Sequence, residues 1–291
     1  MALGTNNFIE ANSAMMIPEI WGNRVNDFFR ANLKAADFFE NWSADVAGGG
    51  DIIHVPVITQ MAAVAKAPNT QVVLVDATSS TVDLTINTHY HTAFLIEDVV
   101  ASKIKTSYRA QSLYAENAGF SVAAVLEDAI TALFSGFSQT VGTSAGKLLD
   151  SNIRQAIAYL DAANVPQENR AFFLHPNVIW GDVQALDRFS LLVNTNGADP
   201  IMKGATHMLY GYPVINTTRL TSALGSRNGA FAHKSAIAWA CANPAGMSGA
   251  NHVRLQSDYR LEYLGTLVVA DLIFGVIENR DNAGVYIRSA S

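Results

Sequence analysis

Charge and sulphur are what this 291-residue chain has least of. Its single cysteine, Cys241, excludes an internal disulfide and any zinc site built from several thiolates. It stands in the apolar run 236–242 (AIAWACA), where a small core residue is expected rather than a nucleophile. Charged residues make up only 15% of the chain against 49% hydrophobic ones, which excludes a disordered polymer. No stretch approaches the ~18–20 uncharged apolar residues that a bilayer span demands. The strongest candidate, 264–277, is broken by Asp271, so no membrane segment is expected. The first residues, MALGTNNFIE, lack a basic flank followed by an apolar run, so no secretory signal is expected. The sequon at Asn216 is then without consequence.

Catalytic signatures are missing as well. There is no GxSxG elbow, no HExxH helix and no dinucleotide fingerprint. Residues 142–147 (GTSAGK) mimic a phosphate-binding loop, but only three residues separate the glycines, and Leu148 stands where Ser or Thr should meet Mg²⁺. His89 and His91 lie two apart on one face of a strand, and His54 would have to supply a third metal ligand from across a hairpin. The bland reading, scattered structural histidines, carries more weight. Acidic pairs such as Glu97-Asp98 and Glu127-Asp128 read as element ends or solvated faces. Catalytic, cofactor and metal sites are therefore all expected to be absent.

What is present is a distinctive order of segments. Residues 1–16 have no periodicity and read as a loose arm. From Pro18, a good first helical residue, Trp21, Val25, Phe28, Phe29 and Leu33 recur at helical spacing. An aromatic cluster of Phe38, Phe39 and Trp42 follows, to be buried either on the chain's own core or on a neighbour. After Gly48-Gly49-Gly50, residues 51–60 and 82–96 alternate with period two, with Pro68-Asn69 as turn chemistry between them. They predict a long two-stranded excursion. An isolated hairpin is marginal in water, and its open edges invite association.

From Thr106-Ser107, a candidate cap, to Phe134 runs the longest helical signal. Tyr114, Ala118, Val122, Val125, Ala129 and Leu133 share a face, and Gly136 stops the helix. Its 28 or so residues would make a rod of about 42 Å. A compact α+β unit then begins: a helix capped by Asp150-Ser151 through Ala162, a strand at 170–175, and a second helix from Pro176 through Leu186. A glycine-bearing loop, 187–207, precedes a strand at 210–216, and strands at 230–233 and 236–240 are expected to continue its sheet. In the last segment Val253, Leu255, Tyr259, Leu261 and Tyr263 alternate with polar residues, predicting one buried face. Strands at 266–277 and 284–288 complete the chain.

Local sequences reinforce this order: 50–56 (GDIIHVP) and 94–98 (FLIED) bracketing the excursion, 172–176 (FFLHP) entering a helix, 210–215 (YGYPVI) and 229–236 (GAFAHKSA). Each is weakly specific alone. In this order, over nearly the whole chain, they resemble the major capsid proteins of tailed bacteriophages, the Hong Kong 97 type of fold. The resemblance implies an α+β architecture with an N-terminal arm and its amphipathic helix (1–47) and an extended β-hairpin loop (48–98). A peripheral domain with a spine helix (99–147), an axial domain (148–245) and terminal strands returning to the peripheral domain (246–291) would follow. It implies no enzyme but a subunit that meets copies of itself in pentamers and hexamers of an icosahedral shell around double-stranded DNA. The shell would be found in the virion and assembled in the host cytoplasm. No charged helical segment of ~100 residues precedes the arm, which implies a separate scaffolding protein; a portal partner is implied too. An encapsulin-type compartment or another virion structural protein is the alternative.

The residues expected at subunit interfaces are Trp21, Phe28 and Phe29 of the arm and Val55, Val57, Val64, Lys66, Val82 and Leu84 of the excursion. Gly197 and Asp199 of the 187–207 loop are expected where copies meet around symmetry axes. Lys66 is the only lysine of the excursion, and nothing pairs it with a cross-linking asparagine. Low charge suits a surface spent on interfaces. The acidic balance suits a container wall, because a basic one would pin DNA phosphates.

Overall fold

The computed structural model describes residues 33–46, 49–58, 61–75, 79–99, 110–183, 186, 208–220, 222–223, 226–242 and 253–290. The arm with Trp21, Phe28 and Phe29, the cap at Thr106-Ser107, and the loop with Gly197 and Asp199 lie outside them.

Two sheets organise the described chain. The first is built on β13 (Gly265–Glu278). One side of β13 carries β4 (Thr88–Glu97), paired from Glu97↔Gly265 to Thr88↔Phe274. The other side carries β12 (Arg254–Arg260) and then β11 (Ile237–Ala242), with β1 (Glu40–Asn41) parallel to β11 at the edge. Val268, Ala270, Leu272 and Phe274 follow the period-two pleat and are all buried.

Against this face packs α2 (Ala110–Ala132), extended by a 3-10 turn at Leu133–Gly136. Ala118, Val122, Leu126, Ile130 and Phe134, four residues apart, are buried along it. The stripe expected from the sequence turns away from this row at both ends. Tyr114 is exposed, and Val125, Ala129 and Leu133 are only half-buried, because rows of every fourth residue run oblique to a helix axis. By length and mean hydropathy, 1.4, the segment Leu113–Gly136 would pass as a membrane span, which the sequence reading missed. Its apolar side is occupied by the sheet, and its Glu127 is bound to backbone inside the fold.

The second sheet runs β5-β14-β10-β6-β8-β7. Its strands are β5 (Gln139–Gly142), β6 (Arg170–Leu174), β7 (Met208–Leu209), β8 (Tyr212–Asn216), β10 (Ser226–His233) and β14 (Gly284–Ser289), with β9 (Ser222–Ala223) beside β10. α3 (Asp150–Ala162) covers it with Ile153, Ala156 and Leu160. β6 is buried throughout because it lies between β10 and β8 and is covered on both faces. Phe172 stacks on Phe231 at 4.1 Å on one side. On the other, Phe173 meets Phe38, Phe39 and Phe134, with ring centroids 5.2–5.3 Å away.

The pairing corrects several expectations. Residues 82–96 are not one strand. β2 (Ile52–Ile58) pairs with β3 (Ser79–Thr85), from Ile52↔Thr85 to Ile58↔Ser79, while β4 leaves the ribbon for β13. The division falls where Leu84 and Ile86 are drawn into a cluster with Val46 and Ala240. Strands 226–233 and 237–242 do not continue one sheet, since the 3-10 turn Lys234–Ala236 carries the chain from the second sheet to the first. β14 joins β10 and β5 rather than β12 and β13. The cap position of α3 is Leu149, which makes no side-chain cap; Asp150 sits in the first turn, where the helix dipole favours it, and pairs with Arg154 at 3.0 Å. From Pro176 a single α-turn (Pro176–Val178) passes into a π-turn (Ile179–Val183) instead of a regular helix.

Candidate assembly surfaces

The ribbon β2–β3 has only its own two strands as a sheet. Along β2 exposure alternates, so Val55 and Val57 are half-buried, as is Val82 opposite Val55. Leu84, expected at an interface, is 0% exposed in the chain's own core and forms the ribbon's root. The root is backbone against backbone: a Cβ on Gly275 of β13 would stand 2.2 Å from the Thr85 carbonyl. Beyond the strands no described element covers the chain. Met61, Val64, Lys66, Val72 and Val73 are exposed, and Leu74 is 90% exposed. A groove of about 900 Å³ runs between Val55–Ile58 of the ribbon, Glu40 and Trp42, and the 163–166 and 279–283 turns.

A second uncovered apolar surface lies at the β12–β13 hairpin. Leu255, Tyr259, Tyr263 and Leu264 are exposed, and Leu261 is 79% exposed. The alternation in this segment predicted a buried face. β12 is an edge strand with β13 as its one partner among the described residues, and no described element covers that face, so its side chains stay exposed. Tyr259 donates to Asp98 at 2.6 Å, and this bond, with burial and the Asp98 charge, raises the phenol above its ordinary value.

The histidines do not converge. His54 contacts Asp83 across the ribbon at 2.7 Å, and His89 contacts Asp271 at 3.1 Å in the main sheet. Among the described residues no three His, Cys, Asp or Glu side chains gather as metal ligands. Asp271 is buried and accepts two bonds from Arg254, at 2.9 and 2.8 Å. Arg254 is the main reason its carboxyl lies below the ordinary value; the His89 contact adds to this, and burial opposes both. Residues 143–146 form a turn after β5, and residues 147–149 separate that turn from the start of α3, so no helix N-terminus opens directly from it. Burial pushes the Cys241 thiol up to about 12, so it stays a thiol.

The root of the arm holds what the sequence concealed. Glu127 is 1% exposed, and its carboxylate accepts the N–H groups of Lys34 (2.9 Å), Ala35 (2.8 and 3.0 Å) and Ala36 (3.2 Å). These donors open α1 (Ala35–Phe38), whose own side chains supply no cap. Asp128 pairs with Arg219 at 2.9 Å. The adjacent carboxylates, read as a solvated pair, thus tie α2 to two distant segments. Trp239 donates to the Ala36 carbonyl at 2.9 Å, and the Ser43 hydroxyl accepts the Cys241 N–H at 2.9 Å. Phe39 is buried and Phe38 and Trp42 are half-buried, so this aromatic cluster packs on the chain's own core. No sequence signal distinguishes Glu127 from a surface glutamate, because its donors lie more than ninety residues away.

The architecture, a long helix across a sheet that throws out a β-ribbon, beside a second α+β unit, defines the class: it is the α+β fold of phage capsid chains, of the Hong Kong 97 type. Solved structures similar over nearly the full chain bear this out. A chain from Mycobacterium phage Che8 superposes with a TM-score of 0.79 at 17% identity, covering 98% of both chains. The capsid of the cyanophage P-SCSP1u gives 0.75 at 14% identity, covering 98% of this chain and 96% of that one. The mature capsid of bacteriophage PhiM1 gives 0.76 at 11% identity, covering 99% and 96%. No protein-family model matches the sequence, and no curated protein matches it.

Proposed function

We propose that this chain is the major capsid protein of a tailed phage, forming the icosahedral head shell around double-stranded DNA. The observation that carries the reading is that the described chain, with its own cores formed, leaves two apolar surfaces, the ribbon beyond Ile58 and the β12–β13 hairpin, that no described element covers and that other molecules would. The fold is that of chains from assembled capsids, which supports other copies as those molecules. Each contact can be modest, since closure of a shell multiplies weak interfaces. Pentamers and hexamers of the chain would form the wall, with Gly197, Asp199 and the arm residues Trp21, Phe28 and Phe29 at contacts between copies. Its acidic charge encloses the genome without sequence-specific grip. A separate scaffolding protein and a portal would guide assembly in the host cytoplasm, and the product resides in the virion.

The test is electron microscopy of the expressed full-length chain, alone and together with a candidate scaffolding protein. Closed shells or capsomers are expected. A persistent small oligomer under both conditions refutes the reading, and shells filled with a cargo enzyme instead of DNA place the chain among encapsulin-type compartments. Removing residues 55–82 and joining the ends through a short Gly-Ser linker spares Leu84, Ile86 and β4. That variant is expected to fold and to form no shells.

A further inference from the structure

The ribbon tip and the groove at the ribbon's root carry opposite charge. Within residues 48–98 Lys66 is the one lysine, and there is no arginine. Lys66 directly precedes the turn that reverses the chain. In that turn the Thr70 hydroxyl donates to the Ala67 carbonyl at 2.7 Å, and Asn69 takes a left-handed φ of 62°. The tip thus offers a single cation on a hydrogen-bonded turn, with Met61, Val64, Val72 and Val73 exposed beside it. In the groove of about 900 Å³ the balance is reversed: Glu40, Asp45 and Asp281 line it, with Arg280 as its one base. Trp42, Val55 and Val57 add apolar wall, and the size falls within the range of ligand clefts, about 300–1,000 Å³. No described residue forms an ion pair with Lys66, Glu40 or Asp45.

Backbone chemistry narrows what the groove can take. Val55–Ile58 line it, while the other side of β2 is taken by β3. Proline is tolerated inside a paired strand where its missing N–H points away from the partner. Pro56 therefore leaves the groove-side edge of β2 without a donor in its middle. A strand added along that edge would lose a rung of its ladder, whereas a turn bearing a cation and apolar side chains does not depend on one. The subunit's own tip does not fill the groove, since residues 61–74 are all exposed.

We propose that this groove receives the ribbon tip of a second copy of the chain, with Lys66 set against Glu40 and Asp45. The inference rests on the shell reading and names the surface on which one of its contacts closes. Asp281 is already engaged, its carboxylate accepting the Ser138 N–H at 2.7 Å. The pairing therefore falls to Glu40, half-buried, and Asp45, exposed in the 3-10 turn Ser43–Val46. The charges steer the approach and fix its register, while the valines and Trp42 supply apolar area. Such a contact is head-to-tail, the tip of one copy entering the root of the next, and it generates a ring when the rotation between copies closes.

The experiment uses the full chain. Equal amounts of unlabelled and heavy-isotope-labelled copies are mixed under assembling conditions and treated with a carbodiimide, which couples a lysine amine directly to a carboxylate in contact with it. Mass spectrometry of the digest is expected to find mixed-isotope peptides joining Lys66 to Glu40 or Asp45. Lys66→Glu and Asp45→Lys are each expected to weaken association about tenfold or more by sedimentation, with unchanged circular dichroism melts, and the two together to recover most of the loss. Assembled parent protein without those links, or a Lys66→Glu protein that associates as the parent does, overturns the inference and leaves the shell reading standing. Links formed only within one chain give the groove to the subunit's own tip, and links from Glu40 or Asp45 to an added candidate scaffolding protein give it to that protein; either result overturns the inference. A double variant no better than the single ones overturns the pairing of Lys66 with Asp45. A parent chain that stays monomeric throughout overturns the shell reading as well.

Discussion

Strands β3 and β4 are separated by two residues, and both descend from one alternating stretch, yet they meet opposite fates. β4 is paired along its whole length with β13, over a face sealed by α2. β3 has only β2, and beyond their shared ladder the apolar side chains face outward up to Leu74. Composition does not separate the two regions. What differs is whether the chain supplies its own cover. Burial of a large side chain is worth about 1.5–3 kcal/mol wherever it occurs. The β13 layer realises that energy on folding, whereas no described element of the chain realises it for the ribbon beyond Ile58 or for the β12–β13 hairpin.

Substitutions can break this contrast. The largest effect on the isolated subunit is expected from Phe173→Ala, at the meeting point of Phe38, Phe39 and Phe134. Denaturant melts should register a loss of about 3–5 kcal/mol. A loss under about 1 kcal/mol would mean that the aromatic cluster is not the self-sufficient core described here. Next comes Glu127→Ala, which leaves the buried N–H of Ala35 and the part-buried N–H groups of Lys34 and Ala36 without that acceptor. A cost of about 2–3 kcal/mol is expected, with faster amide exchange at residues 34–36 and partial recovery in Glu127→Gln. The smallest effect sharpens the contrast from the other side. Leu74→Ser and Leu261→Ser should each leave subunit stability within about 0.5 kcal/mol, while assembly, followed by sedimentation, falls. A clear loss of subunit stability would show that these side chains are covered by the chain itself.

How much of this was legible depended on how far away a residue's partner lies. The long helix and β13 could be read because their signals are local: Ala118 and Val122 repeat within one helix, and residues 266–277 make one apolar stretch within one strand. Partnership between distant segments could not. Val82 and Phe94 share one alternating pattern but pair with different sheets, and nothing between them announces the break except Ile86, whose burial depends on Val46 and Ala240. The face of β12 was legible as apolar but not as uncovered, since alternation records that a face avoids water and not what removes it. Glu127 was invisible for the same reason, its hydrogen-bond donors being supplied from the far end of the chain. The outward-facing ribbon and its open edges were anticipated, whereas the arm and the 187–207 loop lie outside the described residues.

The bond between Glu127 and the start of α1 also has a mechanical reading. Residues 34–36, in the leading segment of the described chain, are tied to the body of the molecule through three consecutive backbone amides held by one carboxylate in the latter half of α2. A pull on that leading segment is therefore delivered to the longest helix among the described residues, and α2 spreads the load along β13 and β4 instead of peeling back a loop. The segment is moored to a girder, and strain applied to it is felt across the whole sheet.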